Sequence, residues 1–246
     1  MSKAYLFDLD GTLWRGGTAL PFAVESVLAL VEQGAQVRYL TNNSSVTAAG
    51  LEAKLAGLGF PVEPGWALGT GPLAAQLARE AGFRRVFAVG SPELEESLEA
   101  AGLEVTECDP DLVLAGICRT FTYDLLARAM QPIRAGVPFW ATNRDTTFPL
   151  EGGRLNPGAG AMVAALEACG GVSPQVVGKP EPDLILAGLA SCGVQAEEAL
   201  VVGDRMDTDI AAGVAAGLPT WLVLTGVETQ LPPGQPGGPD LRALLS

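Results

Sequence analysis

The run "FDLDGT" sets Asp8 and Asp10 two positions apart where an apolar stretch ends. Residues i and i+2 of a strand project to the same face. Both carboxylates can therefore stand together at the carboxyl end of a first strand, the end at which open α/β sheets bind ligands. Histidine is absent from the chain, so any catalysis must lean on carboxylates. Taken alone, Asp10-Gly11 reads equally well as a turn closing a strand. A calcium loop of the EF-hand kind fits less well, because no third acidic residue precedes Gly11 and strands rather than helices flank the segment.

Three later stretches keep company with this pair. "YLTNNS" brings Thr41, Asn42, Asn43 and Ser44 to the end of a second strand, "VGKPEP" sets Lys179 before a helix, and "VVGDRMDTD" closes another strand with Asp204, Asp207 and Asp209. Singly, each has an ordinary reading. Thr-Asn-Asn-Ser makes a helix N-cap, and Gly-Lys-Pro makes an exposed loop. Together they offer carboxylate, hydroxyl and ammonium groups from four strand ends or loops.

Those ends must be positioned by a scaffold. Apolar runs of strand length alternate with segments of helical period, the mark of an α/β fold with a parallel sheet covered by helices. Strands are expected at Ala4 to Asp8, Gln36 to Leu40, Arg85 to Val89, Leu112 to Gly116, Pro138 to Ala141, Gln175 to Val177, Ala199 to Gly203 and Thr220 to Leu224. Helices are expected at Phe22 to Gln33, Val46 to Ala56, Pro72 to Ala81, Pro92 to Ala100, Tyr123 to Arg134, Ala159 to Ala168, Pro182 to Ser191 and Asp207 to Ala216. Gly34, Gly82 and Gly217 stand where helices end, positions at which a left-handed cap costs glycine least. The Pro-rich stretch 232–239 reads as a surface tail followed by a short helix.

Composition narrows the function. At 246 residues and 48% hydrophobic, the chain can bury a full core. Its apolar runs are far shorter than the roughly 20 residues of a membrane span. Met1 to Lys3 lead straight into a strand, without room for a signal peptide, so a cytoplasmic location is expected. Cys108, Cys118, Cys169 and Cys192 are widely spaced with no CxxC, and read as reduced thiols. A cysteine phosphatase needs arginine six positions beyond its nucleophile. Leu114, Asp124, Gln175 and Glu198 stand there instead. Without histidine, Ser-His-Asp hydrolysis, phosphohistidine chemistry and His-ligated zinc are excluded. A net charge of -13 with 15 Lys and Arg argues against a nucleic-acid partner.

In this order, DLDGT, the Thr of TNNS, the Lys of GKP and GDxxxTD resemble the four motifs of the haloacid dehalogenase-like superfamily of phosphatases. Residues 141–171, "ATNRDTTFPLEGGRLNPGAGAMVAALEACGG", are similar to the NagD-like branch, which includes 4-nitrophenylphosphatases and pyridoxal phosphate phosphatases. The resemblance covers nearly the whole chain. It implies a Rossmann-like catalytic core with an inserted α/β cap and a Mg²⁺-dependent phosphomonoester hydrolase that works through an aspartyl-phosphate. Asp8 would be the nucleophile and Asp10 the general acid and later base. Asp8, Asp10 through its backbone carbonyl, and Asp204 would hold Mg²⁺, with Asp209 or Asp207 in support. Thr41, Asn42 and Lys179 would grip the phosphoryl oxygens.

Charge counting shows why each part is needed. An ionised Asp8 at ~4 Å from a phosphate dianion is repelled by roughly 8 kcal/mol at an effective dielectric of about 20. Asp8, Asp204 and the dianion sum to -4, and Mg²⁺ with Lys179 returns the count to -1. The metal and the lysine thus remove most of the repulsion.

Between Thr41 and Lys179 lie more residues than two βα units require, so a cap is expected at 83–177 and a discontinuous core at 1–82 and 178–246. Asn143, Arg144 and Asp145 form its expected specificity loop, although a polar turn explains them equally well. Where relatives read "GxDRxFTY", this chain has "GICRTFTY", with Cys118 at the acidic place. Sugar phosphates, nucleotides, pyridoxal phosphate and aryl phosphates all stay open as substrates, as do transfer to an acceptor other than water and assembly into a homo-oligomer. Two rivals stand beside the phosphatase. "GTGPLA" from Gly69 imitates the phosphate-cradling turn of a dinucleotide-binding oxidoreductase, and a catalytically idle phosphate-binding protein could share the fold. The first leaves Lys179 and Asp204 unexplained, and the second would have been expected to lose Asp8, Asp10, Lys179 or Asp204.

Overall fold

The computed structural model describes residues 2–149 and 155–245. The chain divides into two compact units, one of Met1–Thr41, Ala48–Leu68 and Lys179–Ser246, the other of Asn42–Thr47 and Gly69–Gly178. The second unit begins earlier than the expected cap at 83–177, because the Thr70–Glu80 helix packs on the Pro92–Ala100 helix.

A six-stranded sheet organises the first unit. Its spatial order is Gly237–Gly238, Thr220–Val223, Ala199–Gly203, Ala4–Phe7, Gln36–Thr41 and Ala67–Gly69. Ala4–Phe7 pairs parallel with both neighbours, Phe7 facing Val202 on one side and Tyr39 on the other. All four residues of this strand are buried, as a parallel strand covered on both faces requires. The chain builds outward from it first in one direction and later in the other, so the order of strands reverses between Ala4–Phe7 and Ala199–Gly203. Such a reversal opens a crevice at the carboxyl ends of the two strands. A two-stranded hairpin, Trp14–Arg15 with Thr18–Ala19, follows the first strand.

The second unit has its own parallel sheet, in the order Gln175–Val176, Phe139–Ala141, Leu112–Ala115, Arg85–Val89 and Glu104–Val105. Tyr123–Arg134 and Ala159–Gly170 cover a core that includes Val113, Ala129, Ile133, Phe139, Val163 and Leu166. Thr122 caps the first of these helices by accepting from the Leu125 N–H at 3.2 Å. Cys118 belongs to this core.

Each expected strand and helix is present to within a few residues, with one change of type. The segment 207–216 is not one α-helix: Met206–Ile210 forms a π-type turn and Ala211–Ala215 the α-helical remainder. Short strands at Trp14–Arg15, Ala67–Gly69, Glu104–Val105 and Gly237–Gly238 were not expected, since two or three residues carry no readable period. Gly237–Gly238 lies within the expected surface tail yet extends the sheet beside Leu222 and Val223. No helix of the described residues is long and apolar enough to cross a membrane.

Candidate active site

The reversal of strand order places the carboxylates. Asp8 follows Phe7 and Asp204 follows Gly203, at the same end of adjacent strands, and the Asp8 N–H bonds the Val202 carbonyl at 2.8 Å. Thr41 closes the strand on the other side of Asp8 and is buried. Lys179 reaches this end from the loop before the Asp183–Cys192 helix. Its Nζ donates to Asp8 Oδ1 at 2.5 Å, to Asp209 Oδ1 at 2.7 Å and to the Leu40 carbonyl at 3.4 Å. Oxygens of Asp8, Asp204 and Asp209 lie within 4.8 Å of one another.

The π-type turn decides which aspartate of "DTD" joins them. The Ile210 N–H reaches back five residues to the Arg205 carbonyl at 3.1 Å, the widened loop that recurs at functional positions of helices. Residues two apart on any helical turn point to nearly opposite sides, so Asp207 and Asp209 cannot both face the cluster. Asp209 faces in. Its Oδ2 accepts from the Asp204 and Arg205 N–H groups at 3.2 and 3.1 Å. Asp207 faces out, 69% exposed and paired with Arg205 at 2.8 Å. Of the two expected supporting carboxylates, only Asp209 stands in the cluster.

Electrostatics follow from burial. Lys179, Asp204 and Asp209 are 3%, 1% and 2% exposed. Three ionised carboxylates and one ammonium sum to -3 + 1 = -2. Burial, and then the Asp209 charge, push the Asp8 carboxyl well above its ordinary range, with Lys179 pulling the other way. Burial followed by Asp209 likewise pushes Asp204 up to about 7. Burial disfavours the Lys179 ammonium, but Asp209 and Asp8 outweigh it and hold that proton above the usual lysine range.

These features suit a hard divalent cation. Asp204 Oδ1 is buried with no hydrogen-bond partner, while its Oδ2 accepts from the Val227 N–H at 2.7 Å. An orphaned buried oxygen is costly unless something positive meets it. The donors are all oxygen, the net charge of -2 is matched by a single dication, and ligands at about 2.1 Å from one ion lie roughly 3 to 4 Å apart. Oxygens already within 4.8 Å need little adjustment to share it.

Asp10 stands apart from the three converging carboxylates. It is exposed, and its Oδ1 accepts from the Trp14 indole N–H at 2.8 Å. A loop unmarked by any motif ties the two halves of the site. The Thr225 hydroxyl donates to the Gly11 carbonyl at 2.7 Å, Arg15 donates to the Thr225 carbonyl at 2.8 Å, and the Val227 N–H holds Asp204. Glycine is required twice here. A Cβ on Gly226 would overlap the Asp204 carboxylate, and Gly11, at φ +97°, presses on the same group. The one local cue in the sequence is the Thr225-Gly226 pair just past the Thr220–Val223 strand, and it names no partner.

Within the second unit, Asn42 and the 142–145 loop come together. Asn42 Nδ2 donates to Asp145 Oδ2 at 3.2 Å, and Asn143 Nδ2 donates to the Asn42 carbonyl at 2.7 Å. Arg144 instead pairs with Glu167 at 3.0 Å. The "GTGPLA" turn is filled by protein. Thr70 is fully buried and donates to the Asn42 carbonyl at 2.7 Å, and the Ser44 carbonyl closes on Gly71.

A parallel sheet with carboxylates and a buried lysine at its switch point defines a metal-assisted hydrolase of the doubly wound α/β class. Residues 5–104 match the haloacid dehalogenase-like hydrolases and residues 176–240 match a hydrolase-like segment of the same group. The ribonucleotide monophosphatase NagD of Escherichia coli is 34% identical over 92% of this chain and 89% of its own. A solved p-nitrophenyl phosphatase from Archaeoglobus fulgidus superposes with a TM-score of 0.92 at 33% identity, covering 99% of this chain and 98% of the other. A glycerol phosphate phosphatase from Mycobacterium tuberculosis, solved with magnesium, gives a TM-score of 0.89 at 39% identity, over 99% of this chain and 77% of that one. The chain belongs to the haloacid dehalogenase-like hydrolases, in the NagD-like branch of phosphatases, and the oxidoreductase and idle-binder readings fall away.

Proposed function

We propose that the protein is a Mg²⁺-dependent phosphomonoester hydrolase of small phosphorylated metabolites, with Asp8 as nucleophile. The observation that carries this reading is the convergence of Asp8, Asp204 and Asp209 around the buried Lys179 ammonium. Asp8, Asp204 and the Asp10 carbonyl would hold the metal, with Asp209 behind them. When bound, Mg²⁺ supplies the positive charge that lets an anionic ester approach an anionic carboxylate.

Asp8 attacks phosphorus and becomes an acyl phosphate as the ester P–O bond breaks, and Asp10 gives its proton to the departing alkoxide. Asp10 then takes a proton from water, which attacks the phosphoryl group, freeing phosphate and restoring Asp8. Thr41 and Lys179 grip the phosphoryl oxygens, and Lys179 keeps Asp8 aimed by a direct hydrogen bond. Asp209 holds Lys179 from the other side.

The second unit is read as the cap that selects the leaving group. The compact unit that includes Gly69–Gly178 supports this reading. The loop 142–145 is braced by Asn42 and Glu167, a rigidity that suits discrimination. A cytoplasmic location belongs to the same reading, supported by four cysteines that are all free thiols.

Phosphate release from a panel of small phosphate esters, with Mg²⁺ and with a chelator, tests the proposal. Turnover should require Mg²⁺ and vanish in Asp8→Asn with the protein still folded. Undiminished turnover in Asp8→Asn would remove Asp8 from the mechanism.

A further inference from the structure

Trp14 is fully enclosed yet aims the one polar atom of its side chain at an exposed carboxylate, that of Asp10. The indole is 1% exposed. It is pinned on several sides: the Phe60 ring meets it edge-on with centroids 6.4 Å apart, Lys54 Nζ sits 4.1 Å from its ring centroid, the Trp14 N–H reaches the Leu9 carbonyl at 3.2 Å, and the Trp14 carbonyl accepts from Gly11 at 2.8 Å. From this fixed ring Nε1 donates to Asp10 Oδ1 at 2.8 Å.

An indole N–H can donate and cannot accept. Both oxygens of a protonated carboxyl keep acceptor capacity, but the carbonyl oxygen is the better acceptor, so the indole N–H favours Oδ1 as the accepting oxygen and directs a proton carried by Asp10 to Oδ2. We infer that Trp14 is a positioning residue for Asp10, fixing which carboxyl oxygen delivers the proton to the leaving group and where that oxygen stands. A freely rotating exposed aspartate would present either oxygen in several orientations. One donor on a buried ring removes that freedom before the substrate arrives.

This inference rests on the reading of Asp10 as general acid, and the test separates the two. Turnover is measured for 4-nitrophenyl phosphate, whose leaving group departs readily as an anion, and for glycerol phosphate, whose alkoxide must be protonated. Asp10→Asn should lose far more on the glycerol ester than on the aryl ester. An equal loss on both would overturn the general-acid reading and the inference with it.

Trp14→Phe keeps the ring and removes the N–H. Its kcat on glycerol phosphate should fall about 10-fold or more, with kcat on 4-nitrophenyl phosphate changed less than about 3-fold and KM unchanged on both. Phe60→Leu, which loosens the same ring but leaves its N–H, should lower Tm without separating the substrates. If Asp10→Asn separates the two esters while Trp14→Phe does not, or if Phe60→Leu separates them as strongly, the positioning role is refuted and the acid assignment survives. Should Trp14→Phe not fold, Trp14→Tyr, which has no donor at the indole nitrogen's place, carries the same comparison.

Discussion

Lys179 Nζ and Asp209 Oδ1 lie 2.7 Å apart with both side chains almost wholly withdrawn from solvent. A lone buried ion of either sign would be costly, so each is tolerable only because the other is there. Asp8 then takes a second proton of the same ammonium. The lysine thereby serves the fold and the chemistry through one group. Lys179→Met keeps the stem and removes the charge, stranding two carboxylates. We expect it to cost about 3–5 kcal/mol in urea unfolding of the metal-free protein and to abolish phosphate release. A loss below about 1 kcal/mol would show that the ion pair is not what holds this end of the sheet.

Protons and metal compete for the same oxygens. Asp204 titrates near 7 in the metal-free protein because burial and Asp209 oppose its charge, and Asp8 is raised for the same two reasons. Only the ionised forms bind a cation. Apparent Mg²⁺ affinity should therefore rise with pH up to about 7, by ~10-fold per unit for each proton displaced, and calorimetry in buffers of different ionisation heat should register proton release below that pH. The stability sign runs the opposite way. A carboxyl whose folded value exceeds its unfolded one contributes stability that is present below about 4 and is lost as pH climbs through about 7. The metal-free protein should lose this contribution between about pH 4 and 7, and saturating Mg²⁺ should reverse the trend. Affinity that stays flat from pH 5.5 to 8 would contradict both expectations.

Asp8, Lys179 and Asp204 were legible in the sequence because each sits at a strand end that apolar runs and punctuating residues mark, and because the four motifs occur in order. The choice between Asp207 and Asp209 was not legible. It depends on the one-residue widening that sends the Ile210 N–H to Arg205, a hydrogen-bond detail to which hydrophobic period is blind. The contact of Trp14 was not legible, since nothing local says that its N–H turns back to a carboxylate four positions earlier. Thr225 lies 214 positions from Gly11, a separation no spacing rule spans. Cys118 is a core side chain 2% exposed, a placement in packing that its spacing in the sequence does not reveal.

The two aspartates of "DTD" should answer mutation in opposite ways. Asp209→Asn removes a charge that braces Lys179 and that shares the cluster of metal-binding oxygens. Activity should fall at least ~100-fold and apparent Mg²⁺ affinity should weaken. Asp207→Asn breaks a pair whose carboxylate is 69% exposed, the kind of surface contact that contributes about 0–1 kcal/mol. Its kcat/KM should stay within about twofold of the parent. If the two variants lose equal activity, the inward and outward assignment is wrong.

Gly226 is the residue whose smallness leaves room for the Asp204 carboxylate. An added methyl would occupy the place of Asp204 Oδ2, the oxygen that the neighbouring Val227 N–H holds at 2.7 Å. Neither partner can yield cheaply. The loop is fastened by Thr225 to Gly11 and by the Glu228 N–H to the Asp204 carbonyl at 3.1 Å, while Asp204 is fixed by its strand. Gly226→Ala should therefore turn the carboxylate away from Asp8 and Asp209, costing about 1–3 kcal/mol of stability as an overpacked site does. Its larger effect should be on metal use, with the Mg²⁺ concentration for half-maximal turnover rising at least ~10-fold and added metal restoring part of the rate. Unchanged metal dependence in Gly226→Ala would mean that the loop after the Thr220–Val223 strand merely neighbours Asp204 and does not set its position.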